Sequence, residues 1–128
     1  MKKHFNIAFQ MDPWSTINPK ADSTYMLALE AQKRGFKLFY YSPNNLSLDH
    51  GIVKAKGNFF SLHPGKKKFF QLQKTKVINL DLMKVVLVRQ DPPFNMNYIT
   101  ATYILENLTK KTLVINNPTH IRNYPEKL

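Results

Sequence analysis

Arg89 is the residue whose type and position point most directly to chemistry. It follows the four consecutive aliphatic residues 85–88 and precedes Gln90, Asp91 and two prolines. A buried strand would hold such a side chain rigidly, and a guanidinium can pair with both oxygens of a carboxylate or a phosphate. Asp91 could orient the guanidinium, so we interpret the two residues as part of a site for a small anion. The alternative is a structural ion pair that joins Arg89 to Asp91 or Asp12.

Ser23 and Thr24 stand where a helix is predicted to begin after the first strand. The free N–H groups and the dipole of a helix N-terminus favour an anion. Simple capping of the helix would explain the same two residues. Asp12 and Asn18 lie in the preceding loop and carry the same two interpretations. Trp14, in that loop, is interpreted as a core anchor rather than as a lid over a substrate.

Short strands that alternate with helices would position these residues. The predicted strands are residues 4–10, 36–42, 84–90 and 112–116, and the predicted helices are residues 23–34 and 95–111. Strands separated by helices run parallel, so their carboxyl ends meet at one edge of the sheet, where open α/β sheets bind ligands. We therefore expect the residues that follow three of the strands to converge there, namely 10–12, 89–91 and 116–117.

The middle of the chain, about 43–83, departs from this alternation. Apolar and polar residues alternate around Asp49, His50 and Gly51, which predicts a β-hairpin excursion from the parallel sheet. Seven of the sixteen lysines lie in residues 54–76, and the net charge is +11. Lysine mixed with aromatic residues is typical of proteins that bind single-stranded nucleic acid. We favour a solvated hairpin face, because only three of the nineteen basic residues are arginine, the side chain best suited to base readout.

Composition sets the class of the protein and excludes several functions. A chain of 128 residues with 43% hydrophobic residues is expected to form one globular domain. No apolar run reaches the roughly 18 residues of a membrane helix, and no signal peptide is recognised. The absence of cysteine excludes a disulfide framework and a thiolate nucleophile, and a cytoplasmic location is expected. The histidines lack metal-ligand spacing, so no metal site is predicted, and neither GxGxxG nor GxxxxGK[ST] is present.

Three blocks of the sequence together resemble the N-terminal domain of prokaryotic glutathione synthase. They are MDPWSTINPKADSTYMLALEAQKRG (11–35), VRQDPPFNMNYITATYILE (88–106) and INNPTHIRNYPEKL (115–128). The matching family features are MDP, an Asp-Ser pair that opens a helix ending in EAQ and basic residues, R-x-DPPF, ATYILE and EKL. Their order is the same over nearly the whole chain. Residues 43–83 are the least alike, and Pro125 stands where the family usually has Asn.

This resemblance implies a pre-ATP-grasp domain over residues 1–128. Its expected fold is a Rossmann-like parallel sheet with helices on both faces and a hairpin insertion at about 43–83. The full enzyme would be an ATP-grasp ligase that uses ATP and Mg²⁺ to phosphorylate the cysteinyl carboxylate of γ-glutamylcysteine. Glycine would then attack the acyl phosphate to give glutathione. The substrate-binding positions that the resemblance implies are Arg89, Asp91, Asp12, Asn18, Ser23 and Thr24.

The resemblance also limits what this chain is expected to do alone. The family runs on into an ATP-grasp part that binds ATP and Mg²⁺, and no such part follows in these 128 residues, so the chain alone is expected to be inactive. Its expected partners are γ-glutamylcysteine, glycine, the rest of the synthase chain and further copies in a homo-oligomer. Two alternatives remain at this point. One is a freestanding lysine-rich nucleic-acid-binding α/β module, and the other is the same domain of a different ATP-grasp ligase.

Overall fold

The computed structural model describes residues 5–16, 18, 23–89, 103–108 and 112–116. These stretches contain the helix α1 (Ser23–Lys33), a helical turn at residues 103–105, and three short 3₁₀ turns at Trp14–Thr16, Pro43–Asn45 and Leu80–Leu82. Their strands are β1 (Asn6–Gln10), β2 (Lys37–Tyr41), β3 (Leu46–Asp49), β4 (Ile52–Leu62), β5 (Phe70–Leu72), β6 (Lys76–Asn79), β7 (Val85–Val88) and β8 (Leu113–Asn116). The predicted strands and first helix agree with these bounds to within two residues. Most of the predicted helix 95–111 lies outside the described residues.

Four strands form the parallel half of the sheet, in the order β2-β1-β7-β8. Their registers are level at the carboxyl end, since Gln10 pairs with both Tyr41 and Val88, and Val88 pairs with Asn116. The predicted convergence of strand ends at one edge is therefore confirmed for the described strands. This edge is called the carboxyl edge below.

Helix α1 follows from its composition and from its last turn. Ala, Leu, Met and Glu are strong helix formers, and Lys33 complements the dipole at the C-terminus. Gly35 takes a φ of +88° and ends the helix as predicted. The N–H of Phe36 donates to the carbonyl of Ala31, and that of Gly35 to the carbonyl of Gln32. These two bonds satisfy carbonyls that a helix end would otherwise leave unpaired.

Helical segments lie on both faces of the parallel half. Alternate residues of a strand point to opposite faces. Phe9 of β1 shares a core cluster with Ala28 of α1, whereas its neighbour Ala8 shares the other cluster with Leu105 of the turn at 103–105. The α/β class, a sheet with helices, is thus confirmed. The full Rossmann-like arrangement stays a prediction.

The eleven-residue strand β4 makes the sheet mixed rather than purely parallel. At Phe60 it has antiparallel neighbours β2 and β5, and at Ala55 it has antiparallel neighbours β3 and β6. We call β3 to β6 the antiparallel half. Strands β3 and β4 form the predicted hairpin, whose turn residues His50 and Gly51 have φ of 52° and 79°. Because β4 pairs with β2, this region extends the main sheet.

Gly57 marks the place in β4 where its neighbours change. A Cβ atom at this position would overlap the carbonyl oxygen of Tyr40 and touch the ring of Phe39. Only glycine permits so close an approach of two backbones inside a sheet. The junction between the two halves therefore depends on this residue.

Trp14 fixes the loop after β1 to the antiparallel half. Its side chain is 1% exposed, and its ring centroid lies 4.9 Å from that of Phe60 and 6.4 Å from those of Phe69 and Phe70. This burial confirms that Trp14 is a core anchor. Its buried Nε1 has no hydrogen-bond partner within the part of the chain that the structure describes.

Candidate anion site at the carboxyl edge

The backbone of Arg89 is held directly by the neighbouring strand. Its N–H donates to the carbonyl of Gln10 at 2.8 Å, which continues the β1–β7 ladder by one residue. On the other side of β1, the N–H of Met11 donates to the carbonyl of Tyr41 at 3.1 Å. The start of the Arg89 side chain is therefore fixed by three joined strands rather than by a loop.

The guanidinium of Arg89 spans the first two residues of α1. Its Nη2 donates to the Oγ of Ser23 at 2.6 Å, and its Nε donates to the Oγ1 of Thr24 at 3.2 Å. Thr24 is buried and Ser23 is exposed, so one bond lies under the helix and the other faces solvent. Residues that are 65 and 66 positions apart in the sequence meet here.

The electrostatics of this cluster favour an anion. The guanidinium and the positive end of the α1 dipole lie together, and the first turn of α1 contains no acidic residue. The hydroxyls of Ser23 and Thr24 accept from Arg89, and the Ser23 hydroxyl faces solvent. A carboxylate or phosphate at this point would meet a fixed cation and aligned donors.

A buried hydrogen bond joins the last residues of β1 and β2 at the carboxyl edge. The Tyr41 hydroxyl donates to the Oε1 of Gln10 at 3.0 Å, and both side chains are almost fully buried. Burial raises the pKa of Tyr41, so the phenol stays neutral. A neutral pair adds no charge that would compete for the guanidinium. The sequence marked Gln10 as a strand-end residue but gave no sign of its partner.

The other predicted site residues have different outcomes. Asp12 and Asn18 are exposed in the loop between β1 and α1. Asp91, with the neighbouring Gln90, lies outside the described residues. The structure thus brings Arg89, Ser23 and Thr24 together, and the binding role of each stays a prediction.

Gln32 is a structural residue that the sequence reasoning missed. Its Oε1 accepts from the backbone N–H of Leu62 at 2.8 Å, and its Nε2 donates to the carbonyl of the same residue at 3.0 Å. The amide thereby imitates a strand neighbour for the end of β4. This contact ties the C-terminal turn of α1 to the antiparallel half and limits rotation of the helix. Gln32 belongs to the EAQ stretch (30–32), which the sequence analysis used only as a feature of the family and not as evidence for a contact.

Two classes of feature are absent from the described residues. No group of three His, Asp or Glu side chains among them could hold a metal ion. None of the helices described is long and apolar enough to cross a membrane.

Comparisons with known proteins agree with the family resemblance. Residues 5–122 match the family model described as prokaryotic glutathione synthetase, N-terminal domain. The glutathione synthetase of Brucella melitensis is 48% identical over 122 residues, which cover 95% of this chain and 39% of that protein. The glutathione synthetase of Agrobacterium fabrum is 45% identical over all 128 residues of this chain, which correspond to 40% of that protein. A glutathione synthetase of Vibrio vulnificus is 41% identical over 92% of this chain, which corresponds to 38% of that protein. The chain thus spans about two-fifths of the length of these relatives.

Proposed function

Since this chain belongs to the family of prokaryotic glutathione synthetase N-terminal domains, we propose that it forms the substrate side of an ATP-dependent peptide ligase. The reaction joins the cysteinyl carboxylate of γ-glutamylcysteine to the amine of glycine. The single observation that carries the role of this domain is the bracketing of Arg89 by Ser23 and Thr24 at the N-terminus of α1.

Arg89 has the chemistry that this substrate requires. γ-Glutamylcysteine carries two carboxylates, and a guanidinium pairs with a carboxylate more specifically than an ammonium does. Bound ATP would supply the phosphoryl group that activates the cysteinyl carboxylate, with ADP as the leaving group, and negative charge would increase at that end of the peptide. Contacts that strengthen as charge develops lower the barrier. Arg89 is therefore assigned to holding a carboxylate of the peptide close to the reacting end.

Ser23 and Thr24 are assigned to orienting Arg89, and Ser23 also to donating to the same anion. Asp12 and Asn18 would line the opening of the pocket, and Asp91 would fix the far side of the guanidinium. Because Thr24 is buried while Ser23 is exposed, we expect Ser23 to contact the ligand and Thr24 to act mainly through Arg89.

ATP and Mg²⁺ are placed on the remaining three-fifths of a full-length synthetase. The described residues contain no metal-ligand cluster, so no step through the metal is assigned to them. Cytoplasmic location and homo-oligomeric assembly of the full enzyme complete the proposal. Light scattering at two protein concentrations tests the assembly.

Isothermal titration calorimetry with γ-glutamylcysteine tests the proposed function. We expect weak binding by the chain alone, with a Kd of about 1 mM. Arg89→Ala should weaken it about ten- to a hundredfold, the worth of a hydrogen bond to a charged group. The matched control is Arg34→Ala, which removes the same side chain from the other end of α1, where it pairs with Glu30 at 2.9 Å. Equal losses in the two variants, or binding of an unrelated dipeptide with the same affinity, would contradict the proposal.

A further inference from the structure

The two flanks of α1 differ in what covers the sheet beside them. On the flank toward β4 and β5, the ring of Tyr25 packs edge-on against Phe69 at 5.5 Å, and Trp14 closes the remaining space. On the flank toward β7 and β8, the strands point aliphatic side chains to the same face as Phe9. This second surface is called the β7–β8 apolar face, and it consists of Val85, Leu87, Leu113 and Ile115.

The β7–β8 apolar face is open to solvent. Val85 and Leu87 are half-buried at the margin of the core, while Leu113 and Ile115 are 58% and 39% exposed. Thr24 bonds to Arg89 next to β7, so it marks the flank of α1 that faces β7. Leu27 is three residues further along the helix, lies on the same flank and is 44% exposed. Exposed aliphatic residues thus lie on this flank of α1 and on the sheet surface beside it.

The topology explains why this face has no cover of its own within the described residues. A crossover between parallel strands is right-handed, and β1 to β2 runs across the sheet in the opposite direction from β7 to β8. Their connections therefore lie on opposite faces. Leu105, from the second connection, is buried in the cluster of Ala8 and Val86, on the face opposite α1. Parallel strands are normally covered on both faces, and among the residues that the structure describes none provides that cover on this face.

We propose that the β7–β8 apolar face docks an amphipathic helix from the part of the synthetase chain that has no counterpart in these 128 residues. About three-fifths of the length of the relatives lies outside the matched part, which leaves enough chain to supply such a helix. The face is two strands wide, about 10 Å, and neighbouring helices pack about 8–10 Å apart, so one helix fits on it beside α1.

A helix fits this face better than a second copy of the chain does. Four strand side chains and one helix flank offer far less surface than the roughly 800 Å² per partner of a stable protein–protein interface. The four residues are all aliphatic and carry no charge that would orient a separate partner. Covalent connection removes most of the entropic cost of association, so a small apolar contact suffices within one chain.

Thiol labelling, read peptide by peptide with mass spectrometry, tests the proposal, because these 128 residues contain no cysteine and one thiol introduced among them reports on one position. Leu113→Cys and Ile115→Cys probe the face, and Val77→Cys on β6, where Val77 is 61% exposed, is the control. Iodoacetamide labelling rates are compared between the chain alone and its fusion, after residue 128, to the remaining part of the Agrobacterium fabrum synthetase. We expect rates at positions 113 and 115 to fall about tenfold or more on fusion, with position 77 unchanged.

Two results would overturn the docking proposal. One is equal labelling at positions 113 and 115 with and without the fused part, in a fusion that circular dichroism shows to be folded. The other is protection in the chain alone that grows with concentration, which would assign the face to a second copy. If the fusion does not fold, the remainder is added as a separate polypeptide at about 1 mM, which is the order of the effective concentration within one chain, and unchanged rates then count against the proposal. The proposal rests on family membership and not on the role of Arg89, so a failed ligand titration leaves it standing.

Discussion

The parallel and antiparallel halves of the sheet use basic residues in opposite ways. The parallel half presents Arg89, whose backbone is bonded to β1 and whose side chain is bonded to α1. The antiparallel half and its turns carry seven lysines in residues 54–76, six of them exposed and Lys54 only half-buried. A binding site needs a charge that is held in place, and the density of charge along the sequence does not reveal that.

The lysines of the antiparallel half have a structural role of their own. Within the described residues, β5 and β6 pair only with β4, so their outer edges are open. Lys74 and Lys76 lie along this edge, and Lys68 lies 6.0 Å from the ring of Phe70. Charged side chains on an edge strand oppose strand pairing with another molecule. The exposed Val77 beside these lysines would otherwise favour such pairing.

Gly57→Ala should cause the largest loss of stability, because the added methyl group would push β4 away from β2 where the two halves meet. The new methyl group would overlap the carbonyl oxygen of Tyr40, and neither backbone can move without breaking the β2–β4 ladder. We expect a loss of more than about 4 kcal/mol in the free energy of unfolding, measured by urea denaturation. Gly65→Ala is the control, since a Cβ there meets open space and costs only the strain of its φ of +81°. Similar losses in both variants would contradict the close-approach explanation.

Trp14→Ala should have the next largest effect, because this side chain joins the loop of the parallel half to the aromatic core of the antiparallel half. Loss of a fully buried tryptophan costs about 3–5 kcal/mol of unfolding free energy. Trp14→Phe should cost much less, since the indole Nε1 has no partner within the described structure. Leu27→Ala, on the open flank of α1, should change the same urea midpoint little. A larger loss of unfolding free energy for Leu27→Ala than for Trp14→Ala would contradict the description of the Leu27 flank as open and the Trp14 flank as packed.

A smaller effect, limited to acid, is expected from Asp49 in the β3–β4 hairpin. The Asp49 carboxylate accepts from Lys54 at 3.2 Å and contacts His50 at 2.6 Å, and these contacts lower its pKa. A lowered pKa in the folded state means that the ionised carboxylate favours folding, and that this contribution is lost as the pH falls through that pKa. Asp49→Asn should therefore lower the melting temperature slightly at neutral pH and leave it unchanged in acid well below the folded-state pKa of Asp49. A difference that grows in acid would contradict the sign.

Neutralising lysines of the antiparallel half should leave the affinity for γ-glutamylcysteine unchanged, which is the smallest effect expected. Because β4 runs antiparallel to β2, Leu62 and the turn after it lie at the amino edge of the sheet, opposite Arg89. The double variant Lys66→Gln, Lys68→Gln removes two charges from this turn. It should bind γ-glutamylcysteine as the unchanged chain does, apart from weak long-range screening effects. A loss as large as that of Arg89→Ala would mean that charge density matters more than geometry.

The sequence was informative where local pattern and topology decide the structure. The aliphatic run before Arg89, the helix formers before Gly35 and the turn at His50 and Gly51 predicted their elements. The resemblance implied that Arg89, Ser23 and Thr24 belong to one site, and the structure brings the three side chains together. The resemblance supplied the family, which the comparisons confirm.

Long-range packing was not predictable from local pattern. The bond of Gln32 to Leu62, the bond of Tyr41 to Gln10 and the overlap at Gly57 each depend on two strands or on a strand and a helix that are distant in sequence. The antiparallel placement of β4 against β2 was missed for the same reason, since register is set by packing rather than by the strand itself.

The most direct measurement of the central claim is the NMR resonance of the Arg89 Nε–H group during titration with γ-glutamylcysteine. In the free chain this group donates to Thr24, so its signal reports on the candidate site itself. The account predicts that this resonance and the amides of Ser23 and Thr24 shift together and saturate at one ligand concentration. Shifts confined to residues 54–76, with the Arg89 signal unchanged at saturation, would contradict it and return the lysine-rich half to consideration as the binding surface.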